Sequence, residues 1–276
     1  MDQRAAPGKG SEQHCGRHRG HITTRENFQF HFVNLDDTAE VMRLIGQTGL
    51  TTREACAHTV RNITGCPYAG IAPEETFDTT PWLVAYARNM LRNPICQRLP
   101  RKFKTSFSNC PNDCTGSNFH DRGFTARKRI GANGQEELGF EMRVGGGTST
   151  MPRMADTIWE FARVEDGEYI RVSEAILRVF DREGDLPGLL RKNLNKARIK
   201  FLIAKLGIDE FNRLYEPELA TLPSAGAEPY REPDFTLPDA PPRRCSHTPR
   251  QRGRVPPPDG AAVGQRPTAH HRAQGP

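Results

Sequence analysis

Nowhere in the 276 residues does an apolar run approach the ~20 residues a membrane-crossing helix needs. The first twenty residues, MDQRAAPGKGSEQHCGRHRG, contain no apolar stretch of the kind that marks a secretory leader. These two absences exclude a spanning segment and a leader and make a cytoplasmic chain the expectation. In that compartment the seven cysteines read as thiols or relatives of metal sites rather than as disulfides. No segment repeats at a period of about 20 to 50 residues, which excludes a solenoid. Apolar character is also scarce, with a mean hydropathy of −0.68, so part of the chain is not expected to pack. Lysine is missing altogether from Ala240 to Pro276, where seven arginines meet one acid, Asp259. That stretch carries the whole formal charge of +6, and the rest of the chain is neutral. A molecule-wide basic field for nucleic acid is therefore excluded.

Proline gathers in the same place, with twelve of the 22 prolines falling between Pro223 and Pro276. Such a segment buries too little to offset the entropy of ordering, so residues 223–276 are expected to be disordered. It lacks the interleaved aromatics of a nucleic-acid binder, which disfavours a nucleic-acid partner. Its abrupt onset after helical sequence favours a shifted reading frame over a linker or an anion-binding tail. Residues 1–19 read as an equally anomalous, disordered terminus.

Between the two ends lies a body with enough apolar mass for a core. Phe28, Phe30 and Phe32 alternate within Asn27–Leu35 as in a half-buried strand. Asp36 or Asp37 starts a helix to Leu44, closed by Gly46 or Gly49. Thr51 and Glu54 have the spacing of a capping box for a helix reaching Arg61. Pro81 suits the first turn of a helix over Trp82–Leu91, where its missing N–H costs nothing. Strands are expected over Leu99–Ser108, Gly123–Ile130 and Leu138–Val144, and helices over Ser173–Arg182, Leu189–Leu206 and Asp209–Leu219. Strands precede helices in blocks, so the expected fold class is α+β.

Within the first of those strands, alternation puts Lys102, Lys104 and Ser106 on one face and Phe103, Thr105 and Phe107 on the other. Two lysines ~7 Å apart on one face are unfavourable unless solvent or an anion compensates them. Arg61 and Asn62 at an element end, and Arg25 just before a strand, are placed where binding residues collect. Gly145-Gly146-Gly147 lacks the GxxxxGK[ST] pattern of a nucleotide phosphate loop. The basic run Arg122, Arg127, Lys128, Arg129 and Arg143 reads as a solvated edge. Cys66, Cys110 and Cys114 suggest iron–sulfur ligands but lack a fourth, unless Cys56 serves. Cys15, Cys96 and Cys245 read as free thiols. His31, His58 and His120 have no metal-type spacing and read as ordinary polar or packed histidines.

The runs TTRENFQFH, GLTTREACAHTVRNITGCPYAG, LPRKFKTSFSNCPNDC, VGGGTS and KARIKFLIAKLGIDEF, in this order, closely resemble nitrite and sulfite reductases of the sirohaem and [4Fe–4S] type. The resemblance extends from about Gly20 to Ala220 and implies most of the N-terminal half of a duplicated enzyme. It implies a ferredoxin-like half-domain remnant over residues 20–50 and a sirohaem-site domain over residues 51–222. By resemblance Arg61, Lys102 and Lys104 surround the substrate anion. Arg25, Gln29, Asn62, Gly145, Gly146, Gly147 and Arg198 would face sirohaem. Sulfite or nitrite would be the substrate, with electrons from ferredoxin or a flavoprotein. The four cluster cysteines of such enzymes belong to a C-terminal half outside this chain, so no cluster is expected on Cys66, Cys110 and Cys114. A further family arginine, from a strand before the TTRxN motif, has only Arg4, Arg17 and Arg19 as poor substitutes. The missing strands should leave apolar surface exposed.

Overall fold

Five alternating segments form one mixed sheet, and its apolar face carries the core. The computed structural model describes residues 20–149, 151–184 and 190–223. The expectations for residues 1–19 and 224–276, including Arg4, Arg17, Arg19, Cys15 and Cys245, fall outside the described residues. Strand β1 (Gly20–Ile22) pairs antiparallel with β2 (Phe28–Phe30) as a separate hairpin, followed by helix α1 (Thr38–Gln47). Strand β3 (Val60–Thr64), helix α2 (Thr80–Met90) and strand β4 (Phe103–Ser108) come next. The chain continues through β5 (Arg122–Ile130), β6 (Glu136–Val144) and β7 (Asp156–Arg163) to helices α3 (Glu168–Gly184), α4 (Ile199–Leu206) and α5 (Ile208–Thr221). The large sheet runs β3-β4-β5-β6-β7, with β3, β4 and β5 parallel and β5, β6 and β7 antiparallel. A mixed sheet with helices packed against it bears out the α+β expectation. Among the described residues no helix is long and apolar enough to cross a membrane.

Phe103 and Phe107 of β4, Phe124 of β5 and Phe140 of β6 are fully buried on one face of the sheet. Phe107 stacks on Phe124 with centroids 4.2 Å apart, and Phe140 meets Phe107 edge-on at 5.4 Å. Tyr86 of α2 and Tyr169 of α3 close over these rings, at 5.4 Å from Phe124 and Phe140 respectively. Each such side chain contributes about 1.5–3 kcal/mol by leaving water. The period-two pattern of LPRKFKTSFS therefore sets the core on the Phe103 side.

Three expectations are corrected. The Thr51–Arg61 helix does not form: residues 53–59 are turns and bends, Glu54 and Ala57 have positive φ, and Arg61 lies on a strand. The capping partner has been taken by a tertiary contact, since Glu54 Oε1 accepts from Arg92 N at 2.8 Å and Gln97 Nε2 at 2.7 Å. The strand over Asn27–Leu35 shrinks to β2, Phe32 adopts φ 59°, and Phe28 and Phe32 are exposed. The helix over Leu189–Leu206, whose first residue lies outside the described residues, survives only as α4. Before it, Asn193 Oδ1 captures Asn195 N at 3.1 Å, and Arg198 is extended. Strand β7 has no counterpart in the sequence reading. Ile22, Phe28, Phe32, Leu35 and Met42 of the N-terminal segment are exposed.

The basic run on β5 divides. Lys128 pairs with Glu136 at 3.1 Å and Arg129 with Glu137 at 2.8 Å, while Arg127 and Arg143 share Glu141. The pairs from Arg127, Lys128 and Arg129 cross from β5 to β6, but β5 is the central strand of the sheet, so the edge reading is corrected: the solvated charges sit at the far end of an interior strand. Arg122 does not belong to it, because its side chain is fully buried over Phe124 at 5.1 Å. Its Nη2 contacts Met142 Sδ at 3.6 Å, whereas Nε and Nη1 have no hydrogen-bond partner. Burial pushes its pKa down to about 10. A buried guanidinium with unsatisfied donors costs more than an apolar side chain of similar length. Arg122→Met is expected to stabilise the fold by about 1–4 kcal/mol. Urea denaturation of the two chains checks this, and a lower midpoint for the methionine chain contradicts it.

Candidate functional site

The polar face of β4 meets the start of β5, and the pairing of Thr105 with Arg122 brings Asp121 beside Lys104. The Lys104 backbone N–H donates to Asp121 Oδ2 at 2.8 Å. Arg198, at the N-terminus of α4, grips the same carboxylate with two donors, Nε to Oδ1 at 3.0 Å and Nη2 to Oδ2 at 2.7 Å. Asp121 is fully buried, so this fork replaces its lost hydration. The Asp121 carbonyl accepts from Gly145 N at 3.0 Å, which anchors the glycine run to the same point. Two residues after Arg198, Lys200 Nζ donates to the carbonyls of Thr148 at 3.0 Å and Met151 at 2.6 Å.

Glycine is required in that run for close approach. A Cβ on Gly146 would stand 2.7 Å from the carbonyl oxygens of both Asn118 and His120. One on Gly147 would press on Lys200 Cδ at 3.0 Å and the Arg198 guanidinium at 3.4 Å.

Arg25 enters from the β1–β2 turn. Its Nη2 donates to Asn62 O at 2.5 Å and Thr105 O at 3.3 Å, and its Nη1 faces His120 Nε2 at 2.5 Å. Asn62 answers by donating Nδ2 to Arg25 O at 2.8 Å. Arg61 extends from β3 and donates to Ala57 O at 3.1 Å and Ala55 O at 2.5 Å, so the irregular 53–59 segment wraps its guanidinium. Lys102 and Lys104 are half-buried, while Ser106 beyond them is fully buried. The lysine face of β4 is therefore not a solvated outer face.

The pKa directions report how crowded this positive charge is. Burial, with Arg25, Lys102 and Arg198 nearby, pushes Lys104 from 10.5 down to about 8. Burial and then Arg198, Arg61 and Arg101 lower Lys102. Burial lowers Arg25 to about 10, with Asp121 and Glu26 opposing and Arg198 and Arg61 adding to the shift. Arg61 is lowered by burial first and then by Arg101, against an opposing pull from Cys56. Arg25, Arg61, Lys102, Lys104 and Arg198 are thus linked, neighbour to neighbour, in one electrostatic network, with Asp121 and Glu26 as nearby acids. Such an excess of partly desolvated cations is stabilised by an anion.

The structure brings together Arg25, Arg61, Asn62, Lys102, Lys104, Gly145, Gly146, Gly147 and Arg198. Gln29 stays apart, exposed on β2 opposite His21. Sequence reasoning missed Asp121 and Lys200, and it took His120 for an ordinary histidine. Asp121 carries no local signal, since only the β4–β5 pairing sets it beside Lys104. Lys200 was legible as the second cation of Arg198-Ile199-Lys200. A groove of about 300 Å³, lined by Arg61 and Asn62 with Val60, Ile63 and Leu91, flanks the cluster along β3. A cleft of about 520 Å³ against α3, lined by Arg98, Glu174 and Asp181, includes none of these residues.

The cysteines stand apart. Burial, and to a lesser degree Cys110 and Cys114, raise the Cys66 thiol, so the three are neighbours. Among the described residues, however, no three Cys, His, Asp or Glu side chains form a group that could hold a metal ion. Cys96 is a buried free thiol, pushed up to about 12 by burial.

The sequence profile described as "Nitrite and sulphite reductase 4Fe-4S domain" matches residues 56–221. Sulfite reductase (ferredoxin) 1 of Mycolicibacterium paratuberculosis is 33% identical over 223 residues, which are 76% of this chain and 38% of that protein. The assimilatory ferredoxin-dependent nitrite reductase of Haloferax mediterranei is 31% identical over 211 residues, 75% of this chain and 35% of its own. The structure of Mycobacterium tuberculosis NirA superposes with a TM-score of 0.62 at 30% identity, covering 78% of this chain and 37% of NirA. Dissimilatory sulfite reductase I (DsrI) shares the fold, with a TM-score of 0.57 at 13% identity. The chain spans well under half the length of the curated relatives it matches.

Because Lys104 is pushed down to about 8 from 10.5, its charge destabilises the folded chain below pH 8. Between about pH 8 and 10.4 the unfolded chain binds a proton that the folded chain does not, so this group's contribution to stability rises with pH. Urea unfolding near the two ends of that window should show Lys104→Met stabilising the chain most at the lower pH, the gap closing as pH rises. A gap that stays constant contradicts the assignment.

Proposed function

This chain belongs to the nitrite and sulphite reductase family, and on that premise we propose that it forms the anion- and sirohaem-binding portion of such a reductase. The observation that carries this reading is the convergence of Arg25, Arg61, Lys102 and Lys104 beside Asp121, with Lys104 pushed down to about 8. The proposed substrate is sulfite or nitrite, and the proposed donor is ferredoxin or a flavoprotein, after relatives named for sulfite, nitrite and ferredoxin. In this reading residues 20–50 are the remnant of a ferredoxin-like half-domain.

The residues fit an anionic tetrapyrrole, because a surplus of cations with lowered pKa values favours carboxylate partners. When bound, sirohaem supplies the redox chemistry of reducing the anion, a six-electron change from sulfite to sulfide or from nitrite to ammonia. The protein's part is electrostatic. Arg61, Lys102 and Lys104 fix the anion and oppose the charge that builds as its oxygens leave. Lys104, at about 8, can hold or yield a proton near neutral pH. Arg25, Asn62 and the glycine run form the surface offered to the cofactor. Arg198 serves that surface through Asp121, to which its Nε and Nη2 donate.

The described residues do not fit a [4Fe–4S] cluster, since no three Cys, His, Asp or Glu side chains among them form a group that could hold a metal. That mismatch favours a second reading, in which the chain works with a separate C-terminal partner that brings the cluster ligands.

The test is to add sirohaem to the purified chain and follow its visible absorption together with equilibrium dialysis. Saturable binding is expected, weakened about tenfold or more in an Arg25→Ala chain, since one charge-assisted contact is worth ~1.5–3 kcal/mol. Absence of sirohaem binding, or equal binding by both chains, rejects the reading. Reductase activity is expected only after a cluster-bearing partner chain is added.

A further inference from the structure

Among the histidines one has both ring nitrogens engaged at the cation cluster. His120 Nδ1 lies 2.6 Å from Gly116 O and Nε2 lies 2.5 Å from Arg25 Nη1. A carbonyl can only accept, so Nδ1 carries the proton. A guanidinium can only donate, so Nε2 is the bare acceptor. The two partners therefore fix one tautomer and one charge state, the neutral ring. Arg25 is in turn spent on protein groups, with Nη1 on His120 and Nη2 on the carbonyls of Asn62 and Thr105, while its buried Nε has no partner.

Protonation reverses the contact. An imidazolium presents N–H at both nitrogens, so His120 Nε2–H and Arg25 Nη1–H would point at each other, two donors and two cations at hydrogen-bond distance. The groups facing His120 make its neutral form the resting one. Burial disfavours a charge on the ring most; the Gly116 carbonyl and Asp121 ahead of β5 favour one, while Arg25 from the hairpin turn and Lys104 from β4 oppose it. The Phe119 ring stacks at 5.8 Å and adds no charge. The balance lies below the ordinary 6.5. An anion placed between the ring and the guanidinium satisfies both sets of donors at once.

We infer that His120 is a positioning residue: as a neutral ring it tethers the Arg25 guanidinium, and as a cation it releases that guanidinium to a bound oxyanion. The inference rests on the reading of this cluster as an anion site, and it adds to that reading a dependence on pH that Lys104 does not supply. Lys104 titrates near 8, whereas His120 acts on the acid side of 6.5.

The experiment uses the full chain, with no cofactor, and inorganic sulfate as the probe, because its charge is constant over this range. Ring nitrogen NMR at about pH 8 is expected to show Nδ1 protonated and Nε2 bare. Calorimetric titration with sulfate is expected to show affinity rising as pH falls below 6.5, approaching tenfold for each unit by which binding raises the His120 pKa. His120→Gln keeps an acceptor for Arg25 but cannot titrate, so it should match the parent chain at the upper pH and lose the acid step. Arg25→Met should shrink that step. An Nε2-protonated ring at pH 8, or an acid step that persists in His120→Gln, overturns the inference. A full step in Arg25→Met shows that added charge alone strengthens binding, and it also overturns the release. Should sulfate fail to bind at any pH, the anion-site reading falls and the release with it, while the ring tautomer still decides whether His120 tethers Arg25.

Discussion

The carboxylate of Asp121 is wholly out of water and is bonded at once to the backbone of β4 and to the guanidinium at the head of α4. Its own carbonyl holds the first residue of the glycine run. A single acid thus joins a parallel strand pair, a helix terminus and a tight loop. A buried carboxylate requires compensating donors, and the donors come from elements far apart in the chain. The cations that share this site crowd a space with little opposing charge, which is unfavourable for the folded chain in isolation and favourable for holding an anion.

That electrostatic cost is borne by the other face of the same sheet. Phe103 and Phe107 alternate with Lys104 and Ser106 along β4, so the strand that displays the lysine also seats the aromatic core. Rings from β4, β5 and β6 stack under Tyr86 and Tyr169, and the polar face is held in register by the same backbone pairing. Packing and charge placement are therefore coupled, since a slip of one residue in β4 would exchange the lysines for phenylalanines.

The N-terminal segment contrasts with this arrangement. Its hairpin delivers Arg25 to the cluster, yet Ile22, Phe32 and Leu35 around it are left in solvent. The glycine run shows the complementary case, where lack of side chains lets two backbones meet and leaves room for Arg198 and Lys200.

The core strands were legible because their signal is local: alternation in Leu99–Ser108 fixes which side chains face inward, whatever partner the strand finds. The same holds for the five ordered motifs and for the cations at 25, 61, 102, 104 and 198. The failures at the capping box and at the cation cluster share one cause. The Thr51–Glu54 capping pattern is real, but Glu54 meets Arg92 and Gln97, which no local window contains. Asp121 and His120 looked unremarkable in sequence, because their importance depends on strand register and on the Arg25 turn folding over β4. By itself the sequence determined the residue types, the periodicity of the strands and the family; the tertiary structure alone decided which charges meet. Coulombic and hydrogen-bonded partners are selected by distance in space, and spacing along the chain does not encode that distance between separate elements.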